Sequence, residues 1–297
     1  MINVSTIPVF SLSNEEKKKF MLKNMNVLTQ FHLQNSGEYK ILLEKFGHIK
    51  NSYDSLSEVP FIPVRLFKYH DLISVPIENI SKTMTSSGTS GQSVSKIFLD
   101  KETSSLQVKV LSKIVVDFIG AQRLPMLIID SKSTILKREN FSARTAGIRG
   151  FSIFGRDIEF ALDEDMTINF NRVESFLKKY GSQKVLIFGF TFIIWKHFIL
   201  ELEKLNRKIS ISKGIFFHGG GWKQLESQSV SNNEFNDKVS SFTNVAQIYN
   251  YYGMVEQTGS IFVQCKYGFF HTPSFSDLII RNHKTHLPEE FGNQGLI

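Results

Sequence analysis

The chain has 297 residues, of which 41% are hydrophobic and 21% are charged, and its formal net charge is +7. This length fits one large or two modest domains, and the composition is that of a globular protein with a hydrophobic core. No stretch approaches the roughly 18 consecutive apolar residues that a membrane span needs. The first twenty residues also lack the pattern of a secretory signal. We therefore expect a cytoplasmic protein without a membrane span.

The charge and the cysteine content exclude further classes. The lysines are scattered along predicted helices instead of forming one basic stripe with interleaved aromatic residues, so a nucleic-acid binder is not expected. Cys265 is the single cysteine, which excludes an internal disulfide framework and a cysteine-rich metal site. Its strand-like surroundings favour a buried structural residue over the alternative, an acyl acceptor.

The first 80 residues are predicted to be helical and then extended. Apolar residues at helical spacing predict helices over residues 14–33 and about 37–47. The stretch "VPFIPVRLFKYHDL" contains two prolines and a short apolar run, which favours an extended segment that docks on a larger body. Residues 1–80 are therefore predicted to pack on an α/β body formed by residues 81–297.

Strand-length apolar runs alternate with amphipathic helical patterns in the body. Helices are predicted over residues 101–118, 169–180 and 191–206. The predicted strands cover residues 125–130, 184–190, 213–220, 245–253, 260–265 and 276–282. Such alternation predicts an α/β fold with a largely parallel sheet flanked by helices.

A loop rich in serine, threonine and glycine, "TSSGTSGQSVSK", precedes the strand-like run "KIFLD". Glycines let backbone amides approach a ligand and form a concave anion site, and hydroxyl groups and a lysine can bind phosphate oxygens. The candidate phosphate-binding residues are Thr85, Ser86, Ser87, Gly88, Thr89, Ser90, Gly91 and Lys96. The loop is not a Walker A motif, and a plain Ser/Gly turn remains the alternative reading of its composition.

Two more glycine-rich segments each follow a predicted strand. In "FFHGGGWK", Gly219, Gly220 and Gly221 would let the backbone lie against a flat ring, and His218 is a candidate for contact with substrate or nucleotide or for a packing role. "YNYYGMVEQTG" supplies an aromatic face at Tyr252, a tight turn at Gly253 and the carboxylate of Glu256. A lone carboxylate together with substrate phosphates is a common Mg²⁺ site. Open α/β sheets bind ligands beside such strand ends.

The ordered set of three segments resembles the adenylate-forming (ANL) superfamily, and within it the acyl-protein synthetase (LuxE-type) branch. "SSGTSGQSVSK" resembles the superfamily's phosphate loop, although Val94 and Ser95 stand where proline is usual before the lysine. "YYGMVEQTG" resembles the Y-G-x-T-E motif, with Val255 in place of the threonine. "HGGGWK" and "CKYGFFHTPSFSDLIIRN" resemble segments of the LuxE-type branch.

The resemblance implies the large N-terminal domain of an adenylate-forming enzyme, acting as an ATP-dependent, AMP-forming ligase. The loop from Thr85 to Gly91 would hold the phosphates of ATP, with Lys96 at its end. Tyr252 would stack on adenine beside the glycines 219–221. Glu256 would bind Mg²⁺, and Glu256, Lys96 and His218 are the implied catalytic residues. A carboxylic acid, with a fatty acid as the inferred choice, would form an acyl-adenylate. Its acyl group would then pass to a protein thiol of an acyl-accepting protein or a reductase.

The end of the chain raises an alternative. The LuxE-type pattern continues past "GNQGLI" into a hinge and a small C-terminal domain, which is expected to be missing here. A truncated chain, a split gene product or a degenerate relative would each fit. The alternative function is therefore a non-catalytic nucleotide-binding or scaffold subunit of a surface-polysaccharide or lipid biosynthetic complex.

Overall fold

The computed structural model describes residue 4 and residues 6–86, 93–136, 143–222, 227–245 and 247–297. Contacts divide the chain into two compact units. Unit 1 consists of Met1–Ile114, Met254–Ile261 and Thr272–Ile297, and unit 2 consists of Val115–Gly253 and Phe262–His271. The division predicted at residue 80 stays a prediction.

The regular elements alternate along the chain. The α-helices among the described residues are α1 (Asn14–Asn35), α2 (Gly37–Phe46), α3 (Lys101–Ile119), α4 (Ser133–Leu136), α5 (Ala143–Ser152), α6 (Phe170–Tyr180), α7 (Thr191–Ile194), α8 (Leu200–Lys204) and α9 (Asn232–Thr243). The strands are β1 (Ile80–Thr85), β2 (Lys96–Asp100), β3 (Leu124–Ser131), β4 (Gly155–Leu162), β5 (Val185–Phe190), β6 (Gly214–Gly219), β7 (Gln247–Tyr252), β8 (Phe262–Gln264) and β9 (Phe270–His271).

Unit 2 is built on a seven-stranded sheet with the order β4-β3-β5-β6-β7-β8-β9. The first five strands are parallel, and β8 and β9 continue the sheet antiparallel. Every residue of β3, β5 and β6 is buried. Strands buried on both faces have no solvent side, which is why these three read in the sequence as continuous apolar runs.

Aromatic rings fill one face of this sheet. Phe151 of α5 stacks on Phe188 with ring centroids 4.3 Å apart, and it lies 5.4 Å from Phe217 and 5.0 Å from Tyr251. Rings at such distances contribute dispersion and quadrupole interactions beyond the area that they bury. The helix α5 is thereby packed on the central strands.

Unit 1 contains α1, α2 and the antiparallel hairpin of β1 and β2. Helix α1 begins at a capping box, in which Ser13 Oγ accepts from the Glu16 N–H and Glu16 Oε2 accepts from the Ser13 N–H. Lys17 of α1 donates to Thr272 Oγ1 at 2.6 Å and lies 3.5 Å from Asp277. These bonds join the N-terminal helix to the last segment of the chain.

The predicted α/β class is confirmed, with differences in single elements. The predicted strand at 276–282 is wrong, because this segment forms only isolated bridges from Arg281 to Pro288 and Leu296. The helix predicted at 191–206 is interrupted by one π-helical turn, Trp195–Ile199. The β1–β2 hairpin, β4 and α9 were not predicted. No helix among the described ranges is long and apolar enough to cross a bilayer.

A buried ion pair at the end of β3 generates a stability prediction. Asp130 is fully buried and accepts from Arg144 Nε at 2.6 Å, from Thr134 Oγ1 at 2.7 Å and from the Ser131 N–H at 2.6 Å.

Asp130→Ala leaves the Arg144 guanidinium without its partner, so the free energy of unfolding should fall by about 3 kcal/mol in urea titrations. The control is Glu201→Ala, which removes an exposed 3.7 Å pair with Lys204 and should change nothing measurable. Equal effects of the two substitutions would contradict the prediction.

Candidate functional site

Three neighbouring strands of unit 2 end at the same edge of the sheet. Phe190 of β5 is opposite Gly219 of β6, which is opposite Tyr251 of β7. Because these strands are parallel, the segments that follow them leave the sheet on one side. In open α/β sheets this carboxyl edge is where ligands bind.

Gly219, the last residue of β6, and the following Gly220 have steric reasons to be glycine. A Cβ on Gly219 would lie 2.6 Å from the ring of Tyr251, and Gly220 has a φ of +83°. A Cβ on Gly220 would also lie 3.0 Å from the ring of Phe190. Gly221 is exposed, with open space where a Cβ would be. The backbone of residues 219–221 therefore passes close to aromatic rings at its start and is open at its end.

His218 lies directly before these glycines and is buried. Its Nδ1 is 2.9 Å from Oγ1 of Thr191, and the Thr191 hydroxyl also donates to the Gly219 carbonyl at 3.2 Å. Its ring stacks on Phe235 of α9 at 4.5 Å. Burial lowers the pKa of His218 to about 3, so the imidazole is neutral at physiological pH and cannot act there as a cationic acid.

The end of β7 presents one buried and one exposed tyrosine. Tyr251 lies among the rings of Phe151, Phe188 and Phe217, and desolvation raises its pKa. Tyr252 is 47% exposed, with its ring 6.0 Å from that of Phe262. The exposed ring of Tyr252 is the one that a planar ligand could stack on.

In unit 1, Glu256 lies in the short 3-10 turn Val255–Gln257 and is half-buried. The turn is followed by Gly259, which has a φ of +79° and whose Cβ would meet the Gln107 carbonyl oxygen at 2.7 Å. Only glycine permits this approach of the segment to α3. The position of Glu256 thus depends on a backbone contact with α3.

The ends of the predicted phosphate loop are joined by two hydrogen bonds in unit 1. The Ser86 N–H donates to the Ser95 carbonyl at 3.1 Å, and the Ser95 N–H donates to Ser86 Oγ at 2.9 Å. Thr85 and Lys96 are opposite each other in the hairpin, and Lys96 Nζ is 3.4 Å from Asp71 Oδ1. The other predicted loop residues lie outside the described residues: Ser87, Gly88, Thr89, Ser90 and Gly91.

The structure brings together subsets of the predicted residues. Thr85, Ser86 and Lys96 meet at the hairpin of unit 1. His218 and the glycines 219–221 lie at the end of β6, next to the end of β7 where Tyr252 and Gly253 lie. Sequence reasoning missed Thr191 and Tyr251, whose only signal was their position at the ends of predicted strands.

Cys265 differs from its prediction, because it is half-buried and not a core residue. In the β8–β9 hairpin Val263 is opposite His271, which puts Cys265 and His271 on the same face as diagonal neighbours. A hydrogen bond from His271, helped by the backbone amides of Phe269 and Tyr267, lowers the pKa of the Cys265 thiol to about 7. The thiol is therefore partly ionised near neutral pH.

We predict that the pH dependence of Cys265 alkylation by iodoacetamide reports this hydrogen bond. The rate should rise as the thiolate forms, with a midpoint near pH 7. His271→Ala should move the midpoint upward toward the ordinary thiol value of about 8.5 and slow alkylation at pH 7 roughly tenfold. His283→Ala, an exposed control, should leave the profile unchanged. An unchanged midpoint in His271→Ala would contradict the assignment.

A ligase of known structure has a similar fold. The chain aligns with 2-hydroxyisobutyryl-CoA ligase in complex with 2-HIB-AMP and CoA at a TM-score of 0.67 and 12% identity, covering 96% of this chain and 60% of that one. The same ligase in the postadenylation state with 2-HIB-AMP gives a TM-score of 0.68 at 12% identity, over 96% of this chain and 59% of that chain. The predicted fold of adenylate-forming enzymes is confirmed by this similarity.

Two curated relatives carry the name long-chain-fatty-acid–luciferin-component ligase. The protein of Vibrio harveyi is 23% identical over 239 residues, which are 75% of this chain and 58% of the relative. That of Aliivibrio fischeri is 24% identical over 295 residues, covering 96% of this chain and 75% of the relative. The chain thus spans under two thirds of the first of these proteins. The family model for acyl-protein synthetase, LuxE, matches residues 3–297. The chain belongs to the acyl-protein synthetase, LuxE family.

Proposed function

We propose that this chain binds ATP and activates a carboxylic acid as an acyl-adenylate with release of pyrophosphate. The observation that carries the proposal is the pair of glycine-containing segments, 219–221 and Tyr252–Gly253, at the ends of neighbouring parallel strands. Family membership over residues 3–297 supports the same activity. The ligase would act as an acyl-protein synthetase of the AMP-forming type.

The adenine ring is assigned to the residues at this edge in unit 2. The half-exposed ring of Tyr252 offers a stacking face. The backbone of Gly219, Gly220 and Gly221 would lie against the flat base, with open space where a side chain of Gly221 would be, and Gly253 lets the chain turn directly after Tyr252. His218 would contact the bound substrate or nucleotide.

The phosphates are assigned to the residues at the β1–β2 hairpin of unit 1. Thr85 and Ser86 would begin the phosphate loop, which continues through residues 87–91, and Lys96 would add a positive charge at its end. Lys96 is exposed and its pair with Asp71 is weak at 3.4 Å, so little free energy is lost when it turns to a phosphate. The two hydrogen bonds between Ser86 and Ser95 would hold the mouth of the loop.

Glu256 would bind Mg²⁺. Among the described residues no group of three or more acidic, histidine or cysteine side chains could hold a metal by itself. This donor set still fits Mg²⁺, which is commonly bound by one or two carboxylates together with substrate phosphates. When bound, Mg²⁺ would neutralise negative charge on the phosphates.

The reaction needs positioning more than a protein nucleophile. A carboxylate oxygen of the acid attacks the α-phosphorus of ATP, the bond to the bridging oxygen breaks, and pyrophosphate leaves with the electron pair. The chain contributes by holding both anions in line and by stabilising the charge that develops. The acid is proposed to be a fatty acid, by analogy with the names of the two curated relatives.

Transfer of the acyl group to a protein thiol, on an acyl-accepting protein or a reductase partner, is part of the same proposal. The cytoplasmic location expected from the sequence stays a prediction.

We expect that Glu256→Gln weakens binding of Mg·ATP at least tenfold in calorimetric titration, because the substitution removes a metal-binding charge with little change in size. Glu290→Gln is the matched control, since this exposed carboxylate is also in unit 1 and should not matter. Wild-type affinity in Glu256→Gln would exclude the carboxylate from the site.

The second expectation concerns catalysis. Pyrophosphate exchange into ATP should depend on an added long-chain fatty acid, and Lys96→Ala should slow it at least tenfold by removing a phosphate-binding charge. Lys82→Ala on the neighbouring strand removes a lysine that contacts Gln107 at 3.4 Å and should leave exchange unchanged. Tight ATP binding without exchange for any acid would favour the non-catalytic subunit instead.

A further inference from the structure

One buried nitrogen of the candidate site is without a partner. Nε2 of His218 makes no hydrogen bond to any of the residues that the structure describes, although the side chain is only 1% exposed. Buried polar atoms in folded proteins are nearly always paired with protein, water or a ligand. We therefore expect this nitrogen to have a hydrogen-bond partner.

The protonation of the ring follows from its other nitrogen. The Thr191 hydroxyl has one proton, and the Gly219 carbonyl at 3.2 Å can only accept. When the hydroxyl proton goes to this carbonyl, the bond of 2.9 Å between Thr191 Oγ1 and His218 Nδ1 has to be donated by the imidazole. The proton of the neutral ring is then on Nδ1, and Nε2 is a bare acceptor.

The direction of this acceptor is set by packing. The imidazole stacks on Phe235 at 4.5 Å, and Phe235 in turn stacks on Trp195 at 5.9 Å. Ring stacking on one side and the bond to Thr191 on the other fix both the plane and the rotation of the ring. Because the side chain of His218 is already held in one orientation, little of its conformational entropy is lost when a partner binds to Nε2.

The neutral charge of the imidazole ring limits which kinds of group can bind to Nε2. Burial keeps the imidazole neutral, because its pKa is lowered to about 3. A bare lone pair repels phosphate and carboxylate oxygens, which can only accept. The partner therefore carries an N–H or O–H group.

We propose that His218 is a specificity-determining residue whose Nε2 accepts a hydrogen bond from a neutral N–H or O–H donor of a ligand bound beside Gly219, Gly220 and Gly221. The inference rests on the proposed function and deepens it. The donor is either the 6-amino group of adenine or a hydroxyl group of the acid, and Nε2 could accept a hydrogen bond from either.

The first test is made on the free protein. In ¹⁵N NMR of the histidine-labelled full chain, His218 should show a protonated Nδ1 and an unprotonated Nε2 throughout the neutral range. A protonated Nε2 would overturn the proposal whether or not the chain binds ATP, so this result is distinguishable from failure of the proposed function.

The second test compares matched ligand pairs. Calorimetry compares Mg·ATP with the Mg²⁺ complex of purine riboside triphosphate, which lacks the 6-amino group. Pyrophosphate exchange compares tetradecanoic acid with 3-hydroxytetradecanoic acid. The wild type should favour the donor-bearing member of one pair at least tenfold, and that pair identifies the source of the donor.

The variants decide whether His218 carries the preference. His218→Phe keeps a ring on Phe235 but removes the acceptor, and it should reduce the preference to less than twofold. Thr191→Val removes the hydroxyl that sets the tautomer and should reduce it as well, which keeps the test valid if His218→Phe does not fold. A preference retained in a folded variant, or absent from the wild type in both pairs, overturns the proposal.

Discussion

Burial of the central parallel strands is the constraint on which the rest of unit 2 depends. β3, β5 and β6 expose no residue, so polar side chains are disfavoured along the middle of these strands. A parallel sheet also requires a crossover between each pair of strands, and the crossovers leave from one edge. Polar and glycine residues are thereby gathered where the strands end, at Asp130, Thr191, and the segment that begins with His218.

The polar groups at these ends are buried and each has a defined partner, with one exception. Asp130 accepts from Arg144 and from the start of α4, and Thr191 joins His218 to the Gly219 carbonyl. Such fully bonded networks hold their members in one geometry, because breaking any bond leaves a desolvated group. The exception is Nε2 of His218, and its position next to the glycines is the basis of the proposal that it contacts a ligand.

In unit 1, a few specific contacts hold the loops at defined places. The hairpin of β1 and β2 is closed at its mouth by Ser86 and Ser95, and the turn of Glu256 is set on α3 by the backbone approach at Gly259. Contacts of Lys17 with Thr272 and Asp277 tie the first helix to the last segment. Positioning by such contacts suits a reaction whose proposed catalysis consists of holding two anions together.

The sequence by itself determined the α/β class, because buried strands and amphipathic helices have different apolar periods. It also determined the glycine-rich segments and the tyrosine beside them, since their composition is unusual wherever it occurs. Strand β4 escaped prediction because its first residues include three charged ones, Arg156, Asp157 and Glu159, which interrupt the apolar run. The segment 276–282 misled because an apolar run has no period that distinguishes a strand from an irregular segment. Only the tertiary structure decided which polar groups meet: the pairing of Thr191 with His218 joins residues 27 positions apart. It likewise decided that Cys265 faces His271, because strand register, not spacing along the chain, sets that contact.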